Sequence, residues 1–120
     1  MSQSILDGIK KKLNIDITED AFDEDELIDC VNAGFANLNQ IGVYPEKVFS
    51  ITSSENTWDE FTTDPIIRQF AKIYMFLYVK QIFDISGVSS SVVEAYEKKL
   101  KEFEWRLHLQ GDIVDKEEHE

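Results

Sequence analysis

The sequence predicts a mainly α fold: a compact four-helix domain with one long loop between the second and third helices. Three observations carry this prediction. Apolar side chains recur at spacings of three and four in four separate segments. Helix-start signals stand in front of three of those segments: Asp23 with Glu26, Asp64 with Pro65, and Ser91 with Glu94. Finally, 120 residues, of which 42% are apolar and 12% aromatic, make one globular domain with its own core and are too few for two. That domain spans residues 1–110, and residues 111–120 are expected to form a flexible acidic tail.

The first helix runs from about Ser4 to Leu13. Ile5, Leu6, Ile9 and Leu13 share one face, and Lys10, Lys11 and Lys12 sit in the last turn, where cations suit the helix dipole. The same lysines could serve as a small basic patch for an acidic partner. The second helix starts near Glu24, with Asp23 as N-cap and Phe22 and Leu27 in staple positions. Its core face reads Leu27, Ile28, Val31, Phe35 and Leu38. Ala33 and Gly34 permit close approach of another backbone, and Gly42 suits a left-handed stop.

Residues 43–63 form a connection longer than a compact domain ordinarily needs. Within it, Val48 to Thr52 has the composition of a short β-strand or hairpin, and Thr57 with Glu60 could cap one helical turn. A lone strand has no ladder partner unless the loop folds back or another chain supplies one. The third helix opens at Asp64-Pro65 and continues to about Phe83. Its apolar residues cover more than one face, which places it at the centre of the fold. Asp84 to Gly87 ends it, and Ser91 with Glu94 opens the fourth helix.

In that last helix Val93, Tyr96, Leu100, Phe103 and Leu107 form one stripe, whose expected partner is the aromatic third helix. Glu94–Lys98, Glu97–Lys101 and Glu102–Arg106 are favourable i, i+4 pairs on the other side. Trp105 lies roughly 170° from the middle of the stripe, with Leu109 one turn further on. One core cannot bury both faces. Either Trp105 lies over neighbouring side chains such as Lys101 in solvent, or another surface covers it.

The net charge is −12, from 24 acidic and 12 basic side chains. Clustered Lys and Arg are what phosphate neutralisation requires, so sequence-specific nucleic-acid binding is not expected. From Asp16 to Asp29 the acids run without one cation, as a solvated helix entrance or as a surface repulsive to polyanions. The single cysteine, Cys30, cannot close an intramolecular disulfide and reads as a small core residue. Residues 1–4 lack the pattern of a secretion signal, so a reducing cytoplasm is the expected site of synthesis. The most apolar stretch, Ile66 to Phe83, is interrupted by Arg68, Lys72 and Lys80 and does not read as a membrane span.

The chemical inventory is thin. His108 and His119 are patterned with neither Cys30 nor a serine as base and nucleophile, and His108 has no metal-binding neighbour at helical spacing. The five glycines are scattered singly, so no phosphate loop is present. The sequence assigns no catalytic residue, no cofactor and no metal. It reads as an acidic helical interaction module, not an enzyme.

One ordered set of segments goes further. Ile5-Leu6-Asp7 opens the first helix. Asp23-Glu24-Asp25-Glu26-Leu27-Ile28 leads into Asn32-Ala33-Gly34-Phe35-Ala36-Asn37-Leu38-Asn39-Gln40-Ile41-Gly42-Val43. Thr57-Trp58-Asp59-Glu60-Phe61, Tyr78-Val79-Lys80-Gln81-Ile82-Phe83-Asp84 and Glu102-Phe103-Glu104-Trp105-Arg106-Leu107 follow. From residue 2 to about 109 this resembles the small head-tail connector, or adaptor, proteins of long-tailed bacteriophages and their prophages. The resemblance implies a structural virion protein at the head-tail junction, made in the bacterial cytoplasm. It would dock as a ring of about twelve copies on the portal and join the capsid to neck and tail-completion proteins. A ring needs two different complementary faces on each subunit, and Trp105, Leu109, Phe49, Ile51 and Trp58 are the candidates for them. The competing expectation is an acidic helical regulator that mimics DNA or grips a basic partner.

Overall fold

The computed structural model describes residues 4–13, 24–83 and 90–118. They form five helices: α1 (Ile5–Leu13), α2 (Glu24–Gln40), α3 (Trp58–Phe61), α4 (Pro65–Phe83) and α5 (Ser90–Glu118). The predicted Asp23 cap and Phe22 staple, the Asp84–Gly87 turn and His119 lie outside the described residues.

Four helix ends have a local cause. Ser4 caps α1, its hydroxyl accepting from the Asp7 amide at 3.2 Å. The Asp64 carboxylate accepts from the amides of Ile66 and Ile67 at 3.0 and 2.9 Å, as the Asp64-Pro65 start predicts. Glu60 reaches back to the Thr57 amide at 3.0 Å to hold the single turn of α3. Helix α2 ends in a Schellman motif. Val43 N donates to the Leu38 carbonyl at 3.0 Å and Gly42 N to that of Asn39 at 3.1 Å, while Gly42 takes φ 105° as its position predicts.

Helix α4 is the centre, packed against α1, α2 and α5. Ile67, Ala71, Tyr74, Met75 and Val79 are fully buried. Gly34 of α2 makes the close approach possible, because a Cβ there would fall 2.6 Å from the Met75 sulfur. Ala33, its neighbour in the sequence, faces out. The expected α4–α5 pairing is present, with Leu100 and Leu107 buried and Phe103 edge-on to Phe70 at 5.8 Å. The Glu102–Arg106 pair closes at 3.6 Å. Lys10 is buried in α1 and pairs with Glu24, so one of the three lysines ties α1 to the start of α2.

Two expectations are corrected. Helix α5 does not stop near Gln110 but continues to Glu118, with Gly111 and Val114 buried. Gly111 is what permits this, since a Cβ there would fall 2.7 Å from the Gly42 carbonyl oxygen. A side chain would push α5 off the end of α2.

The second correction concerns the loop. Residues 48–52 form no strand, and among the described residues the only β-type pairing is an isolated bridge between Ser4 and Thr57. Asn32 of α2 replaces the missing strand partner: its amide donates to the Ile51 carbonyl at 2.9 Å and accepts from the Ile51 amide at 2.7 Å. Both backbone groups of a residue only 1% exposed are thereby satisfied. The loop folds back on the helices. Phe35 of α2 gathers Phe49, Trp58 and Phe61 at centroid distances of 4.9, 5.9 and 4.8 Å. At the loop entrance Tyr44 takes φ 51°, held by a bond from the Asn39 amide to its carbonyl and by its edge contact with Phe61.

Candidate functional site

The outer side of α5 carries the largest exposed apolar groups on one helix. Trp105 is 61% exposed, Leu109 45% and Ile113 49%. A spacing of four residues keeps successive members within about 40° of each other, so the three form a ridge along the helix. It lies opposite Leu100, Phe103, Leu107 and Val114, whose burial is what forces Trp105 outward.

Trp105 does not stand alone on that ridge. Its indole stacks on His108, centroids 5.8 Å apart and planes at 29°. His108 Nδ1 is 2.6 Å from the Ile41 carbonyl, which can only accept, so this nitrogen carries the proton and donates. The ridge is thus anchored to the C-terminus of α2. His108, to which the sequence assigned no metal or catalytic partner, ties α5 to the end of α2.

The loop candidates divide. Phe49 is half-buried beside the exposed Val48, at the rim of a hollow that Tyr44 and Phe61 also line. Ile51 and Trp58 are 1% and 4% exposed and belong to the interior. Their expected place on a subunit face is not found, because Phe35 and Asn32 draw the loop inward. Ile113 was missed by sequence reading, which placed it in a tail. The i, i+4 continuation from Trp105 through Leu109 was the available signal.

Beneath the ridge a polar network joins three helices. Tyr74 of α4 receives a bond from the Asn37 amide of α2 and donates to Glu104 of α5 at 3.4 Å. Burial is the main cause that pushes the Tyr74 phenol well above its ordinary range, and Asn37 partly opposes it. A neutral phenol is what the network requires as donor to Glu104. Tyr78 stacks on Tyr74 at 5.9 Å, and its pKa is also raised, first by burial.

Burial pushes the Cys30 thiol up from 9.0 to about 11, which leaves little thiolate near neutral pH. Among the described residues no group of three or more His, Cys, Asp or Glu side chains could hold a metal ion. No described helix is long and apolar enough to cross a membrane. What the surface offers is an apolar ridge on a rigid helix, suited to protein contact.

A family model described as "Phage connector protein" matches residues 5–113 of the chain. No curated protein and no solved structure matches.

Proposed function

Because the chain belongs to the phage connector protein family, we propose that it acts in the virion as a head-tail connector that docks as a ring on the portal and receives neck and tail-completion proteins. The observation that carries this reading is the extent of the family match, which runs from the first helix into the last turns of α5. A connector works by presenting surfaces. The molecule is built for that, with an apolar ridge fixed on its longest helix.

A closed ring of one subunit uses heterologous contacts, a face on one copy meeting a different face on the next. Trp105 and Leu109, extended by Ile113, supply one face in this reading, and the rim of the loop at Val48 and Phe49 contributes to the other. Indole groups concentrate binding energy when a partner desolvates them, and the His108 stack holds this one in place beforehand. The protein has no enzymatic role in this reading. Its acids, lining a channel, would keep passing DNA from adhering.

Electron microscopy of the purified protein mixed with portal particles tests the proposal. Added density in the form of a ring on the portal is the expected result. Portal particles left bare at saturating protein would refute it.

A further inference from the structure

Two apolar features of this chain are opposite in shape. The ridge of Trp105 and Leu109 projects from α5, whereas the folded-back loop leaves a hollow of about 390 Å³ lined by Tyr44, Phe49 and Phe61, with Lys47 and Glu60 in its wall and the exposed Val48 beside them. A recess of that size seats a small ring system. Its aromatic walls already form a cluster, Phe61 lying 5.6 Å from Tyr44 and 5.4 Å from Phe49 between centroids. An incoming indole would extend that cluster, because aromatic rings attract one another beyond the area they bury.

Charge decides which surface the ridge meets. The helical neighbours of Trp105 at three and four residues are Lys101, Glu102, His108 and Leu109. Glu102 is shared by Lys99 and Arg106 at 3.7 and 3.6 Å. Lys101 is exposed and forms no ion pair among the described residues, and the same holds for Lys98 one turn further back. The Trp105 end of the ridge therefore presents positive charge to a partner. The edge of the loop hollow is acidic: Glu60, whose carboxylate accepts only from neutral donors at Asn56 and Thr57, and the exposed Glu46 outnumber Lys47. The larger hollow along α1, of about 750 Å³, has Lys11 and Lys12 in its wall against Asp7 and would meet Lys101 with like charge.

We propose that Trp105 of one copy inserts into the hollow of Tyr44, Phe49 and Phe61 on the next copy, with Lys101 against Glu46 and Glu60. This rests on the reading of the protein as a ring and names the contact between its subunits. The projecting and the receiving halves are both present on every copy. They are different faces, so each subunit enters one neighbour and receives the other, as a heterologous ring requires.

The test replaces Trp105 by the photoreactive aromatic residue p-benzoylphenylalanine, which keeps a ring at the tip of the ridge. The isotopically labelled full-length variant is mixed with unlabelled parent protein on portal particles, irradiated, digested and read by mass spectrometry, with electron microscopy of the same particles. Adducts to residues 44–61 of unlabelled copies are expected. Rings whose adducts fall on α1, on α5, on the portal or only within one copy would overturn the pairing and leave the ring reading standing. Portals left bare by the parent protein would overturn both. A charge exchange leaves the indole in place and decides the case if the photoreactive variant does not assemble. Lys101→Glu, shown to be folded by circular dichroism, should lower the apparent affinity for ring assembly at low salt about fivefold, and Glu46→Lys in the same chain should restore most of it. Parent-like assembly of the single variant, or a double variant no better than the single one, would overturn the proposal.

Discussion

At the scale of single residues, Trp105 is the side chain on which the proposed partner contact most depends, since it is 61% exposed. Its neighbours on the helix bury the opposite face, so removing the indole takes nothing from the core. Trp105→Ala should keep the helical circular dichroism signal and change stability by less than about 1 kcal/mol, yet reduce portal docking sharply. An unfolded variant, or one that docks like the parent, would contradict the surface role. Cys30 makes a different prediction, about pH. Its thiol is neutral in the folded chain up to about 11 and in the unfolded chain only to the ordinary 9.0. The raised folded value means its stabilising contribution is complete below 9 and is lost as pH rises through 11. The urea midpoint should therefore fall across that window, and less steeply in Cys30→Ala than in the parent.

At the scale of elements, two unexpected features have one origin, the docking of irregular or terminal segments on α2. Asn32 clasps Ile51 in place of a strand partner. Asn32→Ala would leave an amide and a carbonyl buried and unpaired, and should cost about 2–4 kcal/mol in urea denaturation. A neutral result would mean that water reaches Ile51. The end of α5 is the other case. Val114 is buried and Gly111 lies against Gly42 and Val43, so truncation after Gln110 should lower stability by about 1–3 kcal/mol, the value of one buried valine. Truncation after Lys116, which keeps Gly111 and Val114, should be nearly silent when the two truncated chains are compared by urea denaturation.

At the scale of the whole molecule, charge and shape dominate. Helix α5, at 29 residues roughly 43 Å long, sets the longest dimension of a body measuring 50 × 34 × 21 Å. The body carries −12, and its described ion pairs are mostly exposed and worth little each. Self-repulsion therefore outweighs paired attraction, and the melting temperature should rise as sodium chloride is raised from about 10 to 150 mM. A fall over that range would show that the ion pairs contribute more than the net charge costs.

The sequence by itself determined where the long helices lie and the starts at Thr57 and Asp64-Pro65, because capping and periodicity are local. Asp64-Pro65, the Gly42 stop and the 3-4 stripe of α5 each act through residues within two turns of one another. It also determined that Trp105 faces away from the core, since one angle on one helix decides that. The tertiary structure decided everything that depends on contacts distant in the chain. Val48 to Thr52 has strand composition, yet Asn32, nineteen positions from Ile51, and Phe35, fourteen positions from Phe49, hold that stretch as irregular backbone and draw Ile51 and Trp58 inside. Helix α5 outlasts Gly111 because Gly42, remote in sequence, leaves room for a backbone without a side chain. The hollow of Tyr44, Phe49 and Phe61 exists only because the loop folds back on α2. Local hydrogen bonding and periodicity are written in neighbouring residues, whereas burial and the sign of a surface are sums over the packed chain.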